Sequence, residues 1–172
     1  MRIFLVRHAE AEAKIESKPD ADRALTDLGR EQARSLASAF SARGLEVGAI
    51  VTSPYVRTHQ TAVELAEVLK PSLPEVIDSK LLTPGKLRPK KLSRTLADLA
   101  VESVAVVGHM PELGEYAEWL IGARAGSMPL AKAAAVCLEF DKEPAKADGE
   151  LLWLVTPEWF QSPVKAAVTA DA

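Results

Sequence analysis

Three short, almost wholly apolar runs, residues 3–6, 49–52 and 103–107, are each followed along the chain by a stretch with helical spacing. Runs of four or five apolar residues with no polar alternation fit strands covered on both faces. Strands that alternate with helices imply βαβ units and a mainly parallel sheet. A chain of 172 residues fits one domain. The expected fold is therefore α/β, a single three-layer domain with a mainly parallel central sheet flanked by helices. Residues 1–162 form that domain, and the small, polar residues 163–172 read as a tail prone to disorder.

The pattern between the strands is specific. Residues 10–23 are polar, include Pro19 and Asp20, and read as a loop or a mobile lid. Thr26 is the expected N-cap of a first helix, in an incomplete capping box whose partner position is Gly29. Ala33, Leu36, Ala37 and Phe40 supply its apolar face, and Gly44 its C-terminal stop. Ser53-Pro54 follows the second strand, with Pro54 expected in the first turn of a helix running to about Leu69. Pro71 and Pro74 break that helix, and Val76-Ile77 reads as a short strand. Thr83-Pro84-Gly85 reads as a turn, and residues 87–99 as a third helix. Pro111 is expected to start a fourth helix, with Leu113, Ala117, Leu120 and Ile121 on its apolar side. Residues 134–140 and 151–155 read as an antiparallel strand pair.

Composition removes several classes. The net charge of −3 argues against a nucleic-acid partner. One cysteine, Cys137, permits neither an intrachain disulfide nor a thiolate metal cluster, and it reads as a core residue. The N-terminal apolar run meets Arg7 too soon for a signal peptide. No apolar run approaches the ~18 residues of a membrane span. A cytoplasmic protein without a membrane partner is the expectation.

In open α/β sheets, ligands bind beyond the carboxyl ends of the strands. Arg7-His8, Ser53-Pro54-Tyr55-Val56-Arg57 and Gly108-His109-Met110-Pro111 each follow a strand at that end. Together they can bring two arginines and two histidines to one sheet edge. Arginine offers a planar fork matched to phosphate oxygens. A neutral imidazole is a competent nucleophile toward phosphorus. His8 is assigned the covalent phosphohistidine, its tautomer set by backbone carbonyls. Arg7, Arg57, His109 and Ser53 are the substrate-binding candidates, with His109 stabilising the transferring group. The arginines supply the positive charge, so no metal and no cofactor are expected. His59 reads as an exposed or packed helix residue. The basic cluster Lys86, Arg88, Lys90, Lys91 and Arg94 reads as a solvated helix face.

Taken in order, these segments resemble the histidine phosphatase superfamily, the phosphoglycerate mutase-like proteins, and within it the SixA-type phosphohistidine phosphatases. Arg7-His8 is similar to the superfamily's Arg-His-Gly signature. Leu25-Thr26-x-x-Gly29 resembles its entry to the first helix, and Ser53-Pro54-x-x-Arg57-x-x-Gln60-Thr61-Ala62 its second arginine motif. Leu82-Thr83-Pro84 and Gly108-His109-x-Pro111 resemble later motifs of the SixA type. The resemblance implies His8 as the phosphorylated nucleophile, with Arg7, Arg57 and His109 completing the phosphate pocket. It implies a phosphohistidine-bearing protein, such as a phosphotransfer domain of a phosphorelay, as substrate, and inorganic phosphate as product.

Two departures from the pattern matter. The signature glycine is Ala9 here. Leu81 stands where that branch often carries an acid, and none of Glu10, Glu12, Glu75 and Asp78 matches a donor motif. An alcohol leaving group needs a proton as its bond to phosphorus breaks. A phosphorylated imidazole can take its proton from solvent, because histidine titrates near pH ~6.5. A site without a general acid therefore suits phosphoramidate cleavage. The alternatives are a small-molecule phosphomonoesterase or mutase, if one of those carboxylates faces the phosphate, and a non-catalytic phosphate-reading module, which would not need His8. A cysteine phosphatase is excluded, since Glu143 stands six residues after Cys137, where such a loop requires arginine.

Overall fold

Side chains along a strand alternate between faces, and the first strand, β1 (Arg2–Arg7), divides its apolar residues accordingly. Ile3 and Leu5 join one buried cluster, and Phe4 and Val6 join the other. In the computed structural model, which describes residues 1–69 and 74–161, this division runs through the whole sheet. The remaining strands are β2 (Ala49–Thr52), β3 (Glu75–Asp78), β4 (Ser103–Gly108), β5 (Ala135–Glu139) and β6 (Glu150–Val155). Their order is β3-β2-β4-β1-β5-β6. The pairs β3–β2, β2–β4 and β4–β1 are parallel, and β1–β5 and β5–β6 are antiparallel.

Four helices cover the sheet: α1 (Asp27–Ala42), α2 (Val56–Val68), α3 (Pro89–Ala97) and α4 (Glu112–Ile121). Leu36, Phe40, Ala62 and Leu65 bring α1 and α2 onto the Phe4 face. Leu92, Leu96, Leu113 and Leu120 bring α3 and α4 onto the Ile3 face. The expected three layers and mainly parallel sheet are thus present. Cys137 lies in β5 and is buried, as expected, and burial pushes its thiol up to about 11. Among the described residues, no helix is long and apolar enough to cross a membrane.

Local chemistry explains the helix ends. The Thr26 hydroxyl accepts from the Gly29 N–H at 3.1 Å, so Thr26 caps α1 although the reciprocal half of the box is missing. Gly44, at φ +63°, turns the chain away after α1. Two expectations are corrected. Pro54 precedes α2, whose N-cap is Tyr55, because Ser53 and Pro54 are used in the turn leaving β2. The third helix is shorter than expected and begins at Pro89, since the Thr83-Pro84-Gly85 turn and an extended Arg88 precede it. Pro71 and the expected tail, 163–172, lie outside the described residues.

Residues 10–23 form a loop that is tied down along its length. Ala11 bridges Leu25, and residues 20–22 make a 3-10 turn. The Glu10 carbonyl accepts from the Thr26 N–H at 3.1 Å, and the Glu10 N–H donates to Gln32 Oε1 at 3.0 Å. This draws the chain after His8 hard against α1. A Cβ on Gly29 would lie 1.9 Å from the Glu10 carbonyl oxygen. Gly29→Ala is therefore expected to destabilise the protein by about 1–3 kcal/mol through overpacking. It should also lower activity by moving the backbone beside His8. A denaturation midpoint equal to that of the wild type would refute this close approach.

Candidate active site

β1, β2 and β4 run parallel, so their carboxyl ends lie side by side, and Arg7, Thr52 and Gly108 close them in adjacent positions. The side chains that follow converge there. His8 is 7% exposed, Arg57 4% and His109 5%, and Ser53 is fully buried. The two imidazole rings lie 5.4 Å apart between centroids. Each of the five site residues expected from the sequence falls at this edge.

His8 Nδ1 lies 2.8 Å from the Ala9 carbonyl oxygen. A carbonyl only accepts, so Nδ1 carries the proton and Nε2 keeps its lone pair. Ala9 is held in turn, because its N–H donates to Thr61 Oγ1 at 3.2 Å while that hydroxyl donates to the Arg57 carbonyl at 2.7 Å. The Ala9 methyl packs in a small satellite cluster with Ala11, Leu25, Ala33 and Ala133. The fold therefore accommodates alanine at the signature glycine position. Gln60 also has a part, since its Oε1 accepts from the Leu25 N–H at 2.7 Å and pins the start of the Thr26 cap.

His109 bridges two partners. Its Nε2 lies 3.0 Å from Ser53 Oγ, and its Nδ1 lies 3.4 Å from Arg57 Nη2. Guanidinium only donates, so Nδ1 accepts and Nε2–H donates to Ser53 in this arrangement. A hydroxyl can serve as donor or acceptor, so Ser53 also tolerates the opposite tautomer. Tyr55 meets the His109 ring edge-on at 5.1 Å and lies under the Arg57 guanidinium at 5.0 Å.

The 10–23 loop, for which the sequence offers no site residue, enters directly. Arg57 Nη1 donates to the Asp20 carbonyl at 2.6 Å, and Nη2 donates to Asp20 Oδ2 at 2.9 Å. Arg23 holds the other Asp20 oxygen at 2.8 Å. Arg23 and Arg57 together keep the Asp20 carboxyl below the usual carboxylate range. Arg7 Nη1 donates to the Leu130 carbonyl at 2.7 Å. Neither Arg7 Nε nor Arg57 Nε, both buried, has a partner among the described residues.

Two more side chains were not found from sequence. Lys132 bridges Glu10, at 2.7 and 2.9 Å, and its charge reaches His8. Buried Glu118 on α4 accepts from the Gly126 and Met128 N–H groups at 3.0 and 2.8 Å, shaping the loop that presents Leu130 to Arg7. Because β5 pairs antiparallel to β1, the chain entering β5 passes the carboxyl end of β1, and the Ala133 N–H bonds the Arg7 and His8 carbonyls. A lone lysine just before an apolar strand was the signal available.

The four carboxylates considered as donors separate clearly. Glu10 lies on Lys132, while Glu12 pairs with Lys18 and accepts from the Ala24 N–H. Glu75 opens β3, at the far edge of the sheet from the site. Asp78 closes β3 but holds the half-exposed His59 at 3.0 Å. Glu112 joins two of the sequence motifs, since its Oε1 accepts from the Gly85 N–H at 2.6 Å. Among the described residues, no group of three or more His, Cys, Asp or Glu side chains is placed to hold a metal ion.

Burial, reinforced by Arg57, Arg7 and Lys132, pushes His8 down to about 4. Burial, with Arg57 and His8, pushes His109 down to about 3. Both rings are neutral at pH 7. In the unfolded chain they would titrate near ~6.5, so between those values the unfolded state binds more protons. Stability is therefore complete above about pH 6.5 and falls as pH drops toward 4 and 3, by on the order of 3 kcal/mol per ring. Thermal midpoints measured from pH 7 to pH 4 should fall less steeply for His8→Ala than for the wild type. Parallel curves would show that His8 is not buried in the neutral form.

A paired arginine–histidine site at the carboxyl edge of this sheet defines a class, and comparison with known proteins agrees. The histidine phosphatase superfamily (branch 1) profile matches residues 3–83. The phosphohistidine phosphatase SixA of Escherichia coli K12 is 30% identical over 119 residues, covering 66% of this chain and 70% of that protein. An uncharacterised protein of Picosynechococcus is 31% identical over 163 residues, covering 92% of this chain and 98% of that one. The structure of the protein histidine phosphatase SixA complexed with tungstate superposes with a TM-score of 0.79 at 25% identity, over 94% of this chain and all of that one. The chain belongs to the histidine phosphatase superfamily. Family and relatives together support a phosphatase with the phosphoglycerate mutase-like fold.

Proposed function

We propose that this protein is a phosphohistidine phosphatase, which removes phosphate from a protein histidine through a covalent phospho-His8 intermediate. The observation that carries the reading is the His8 ring. It is neutral, locked by the Ala9 carbonyl, and offers Nε2 beside His109 and two arginines with unengaged Nε–H groups. A tetrahedral dianion satisfies those donors. The similarity to SixA supports a phosphohistidine substrate.

In the first step His8 Nε2 attacks phosphorus. The phosphorus–nitrogen bond of the substrate breaks, and the departing imidazole leaves neutral, having taken its proton from solvent. In the second, water attacks phospho-His8 and releases inorganic phosphate, which regenerates the ring. Arg7 and Arg57 neutralise the equatorial oxygens in both steps, and His109, switched to the tautomer in which Nε2 accepts from the Ser53 hydroxyl, turns its Nδ1–H from Arg57 to one of them. Neither a metal nor a cofactor has a part, because the guanidinium groups supply the charge. Residues 1–162 act as one catalytic domain, in a cytoplasmic setting.

The alternative, a small-molecule phosphomonoesterase or mutase, needs a proton donor. Of the four carboxylates, Glu10 favours it, being two residues from His8 and close enough for its charge to act on Arg7. The deciding experiment compares turnover of a phosphohistidine-bearing protein with turnover of a panel of phosphomonoesters, for the wild type and Glu10→Gln. Rapid loss of phosphohistidine, feeble monoester turnover and an indifferent Glu10→Gln support the proposal. Efficient monoester turnover that collapses in Glu10→Gln overturns it.

A further inference from the structure

Residues 79–97 carry six of the 21 lysines and arginines, Lys80, Lys86, Arg88, Lys90, Lys91 and Arg94, and none of the 24 aspartates and glutamates. All six are exposed. None enters an ion pair among the described residues. This occurs in a chain whose net charge is −3, so the rest of the surface is strongly acidic.

The concentration runs against local stability. A helix N-terminus carries partial positive charge and favours carboxylates, and a cation there costs about 0.3–1 kcal/mol. α3 instead has Arg88 as its N-cap and Lys90 and Lys91 in its first turn, with no acidic residue there. A local rule broken without compensation marks a functional surface.

Its location is equally specific. The Ser79 N–H bonds the carbonyl of Thr52, the residue before Ser53, at 2.7 Å. The Gly85 N–H bonds Glu112, three residues past His109, at 2.6 Å. The start of the segment thus lies along one rim of the site, with Lys80, Lys86, Arg88 and Lys91 lining a shallow open cleft beside the turn, and Lys90 and Arg94 continue the basic surface into the neighbouring cleft.

We infer that this rim docks an acidic face of the phosphoprotein substrate, so that the phosphohistidine enters the site with acidic residues of its own protein against the 79–97 surface. The inference rests on the phosphohistidine reading and adds the partner's surface chemistry to it. A polynucleotide fits less well. The segment holds no Phe, Tyr or Trp on which bases could stack, and the remaining acidic surface repels a polyanion.

The test uses two synthetic phosphohistidine peptides, identical except for glutamate or glutamine flanking the histidine, together with free phosphohistidine. At low salt the wild type is expected to show a kcat/KM about tenfold higher for the glutamate peptide, a preference erased by 0.5 M salt. K86E/K90E/K91E should lose the preference, turn over free phosphohistidine like the wild type, and melt no lower, since carboxylates suit that helix end. Equal turnover of both peptides by the wild type, or a preference that survives in the triple variant, overturns the docking surface alone. Absence of turnover on all three substrates overturns the phosphohistidine reading and the docking surface with it. Binding of a DNA oligonucleotide at 150 mM salt, lost in the triple variant, would assign the rim to nucleic acid instead.

Discussion

His8→Ala is expected to abolish turnover, by roughly 10⁴- to 10⁶-fold in kcat, while leaving the fold intact. The size follows from the proposed mechanism. Without Nε2 there is no covalent intermediate, and water would have to attack the substrate directly from a position the site does not prepare. Arg7, Arg57 and His109 remain, so binding of inorganic phosphate or tungstate should persist, and a circular dichroism spectrum should match the wild type. Acid-labile, alkali-stable phosphate should be trapped on wild-type protein quenched during turnover and be missing from the variant. Appreciable residual activity in His8→Ala, with no trapped phosphate on the wild type, would sink the covalent mechanism.

Arg57→Ala should have the next largest effect, a loss of about 10²- to 10³-fold in kcat/KM, comparable to removing one preorganised oxyanion donor. Arg57 is 4% exposed, so little water is at hand to replace its charge. It also orients His109 through Nη2. Arg57→Lys should recover little, because an ammonium cannot span Asp20, His109 and a phosphate oxygen with one planar fork. Steady-state kinetics for both variants decide this. Near-wild-type activity in Arg57→Lys would mean that point charge alone matters at this position.

Much of this arrangement could be read from the chain because parallel strands end together. His8, Ser53, Arg57 and His109 are each within a few residues of an apolar run, so predicting the runs placed these residues at one edge. Tertiary contacts between distant loops leave no such pattern. Nothing periodic connects Asp20 to Arg57, 37 positions away, or Lys132 to Glu10, 122 positions away. Glu118 reads as an ordinary helix residue, and its burial against the 126–128 backbone depends on how a loop folds over α4. Pairing of β5 with β1 was the missing step, since it brings Leu130, Lys132 and Ala133 to the site. Helix ends depart from the sequence pattern where turn chemistry takes residues from the helix, as at Pro54 and Arg88.

The carboxylate of Asp20 on Arg57 sets a threshold for occupancy. A monoanion that used Arg57 would exchange one charged partner for another with no net electrostatic gain, so chloride, acetate or bicarbonate meets two Nη groups already held by Asp20. A phosphoryl dianion brings a second charge, so it recovers more than it displaces. After hydrolysis the same competition runs in reverse. Asp20, held in the adjacent turn by Arg23, would in the proposed reaction be a tethered rival at high effective concentration that hastens departure of inorganic phosphate. In the proposed reaction the guanidinium would therefore pass between an internal and an external anion once per turnover, and inorganic phosphate would have to displace a resident ligand before it could block the site.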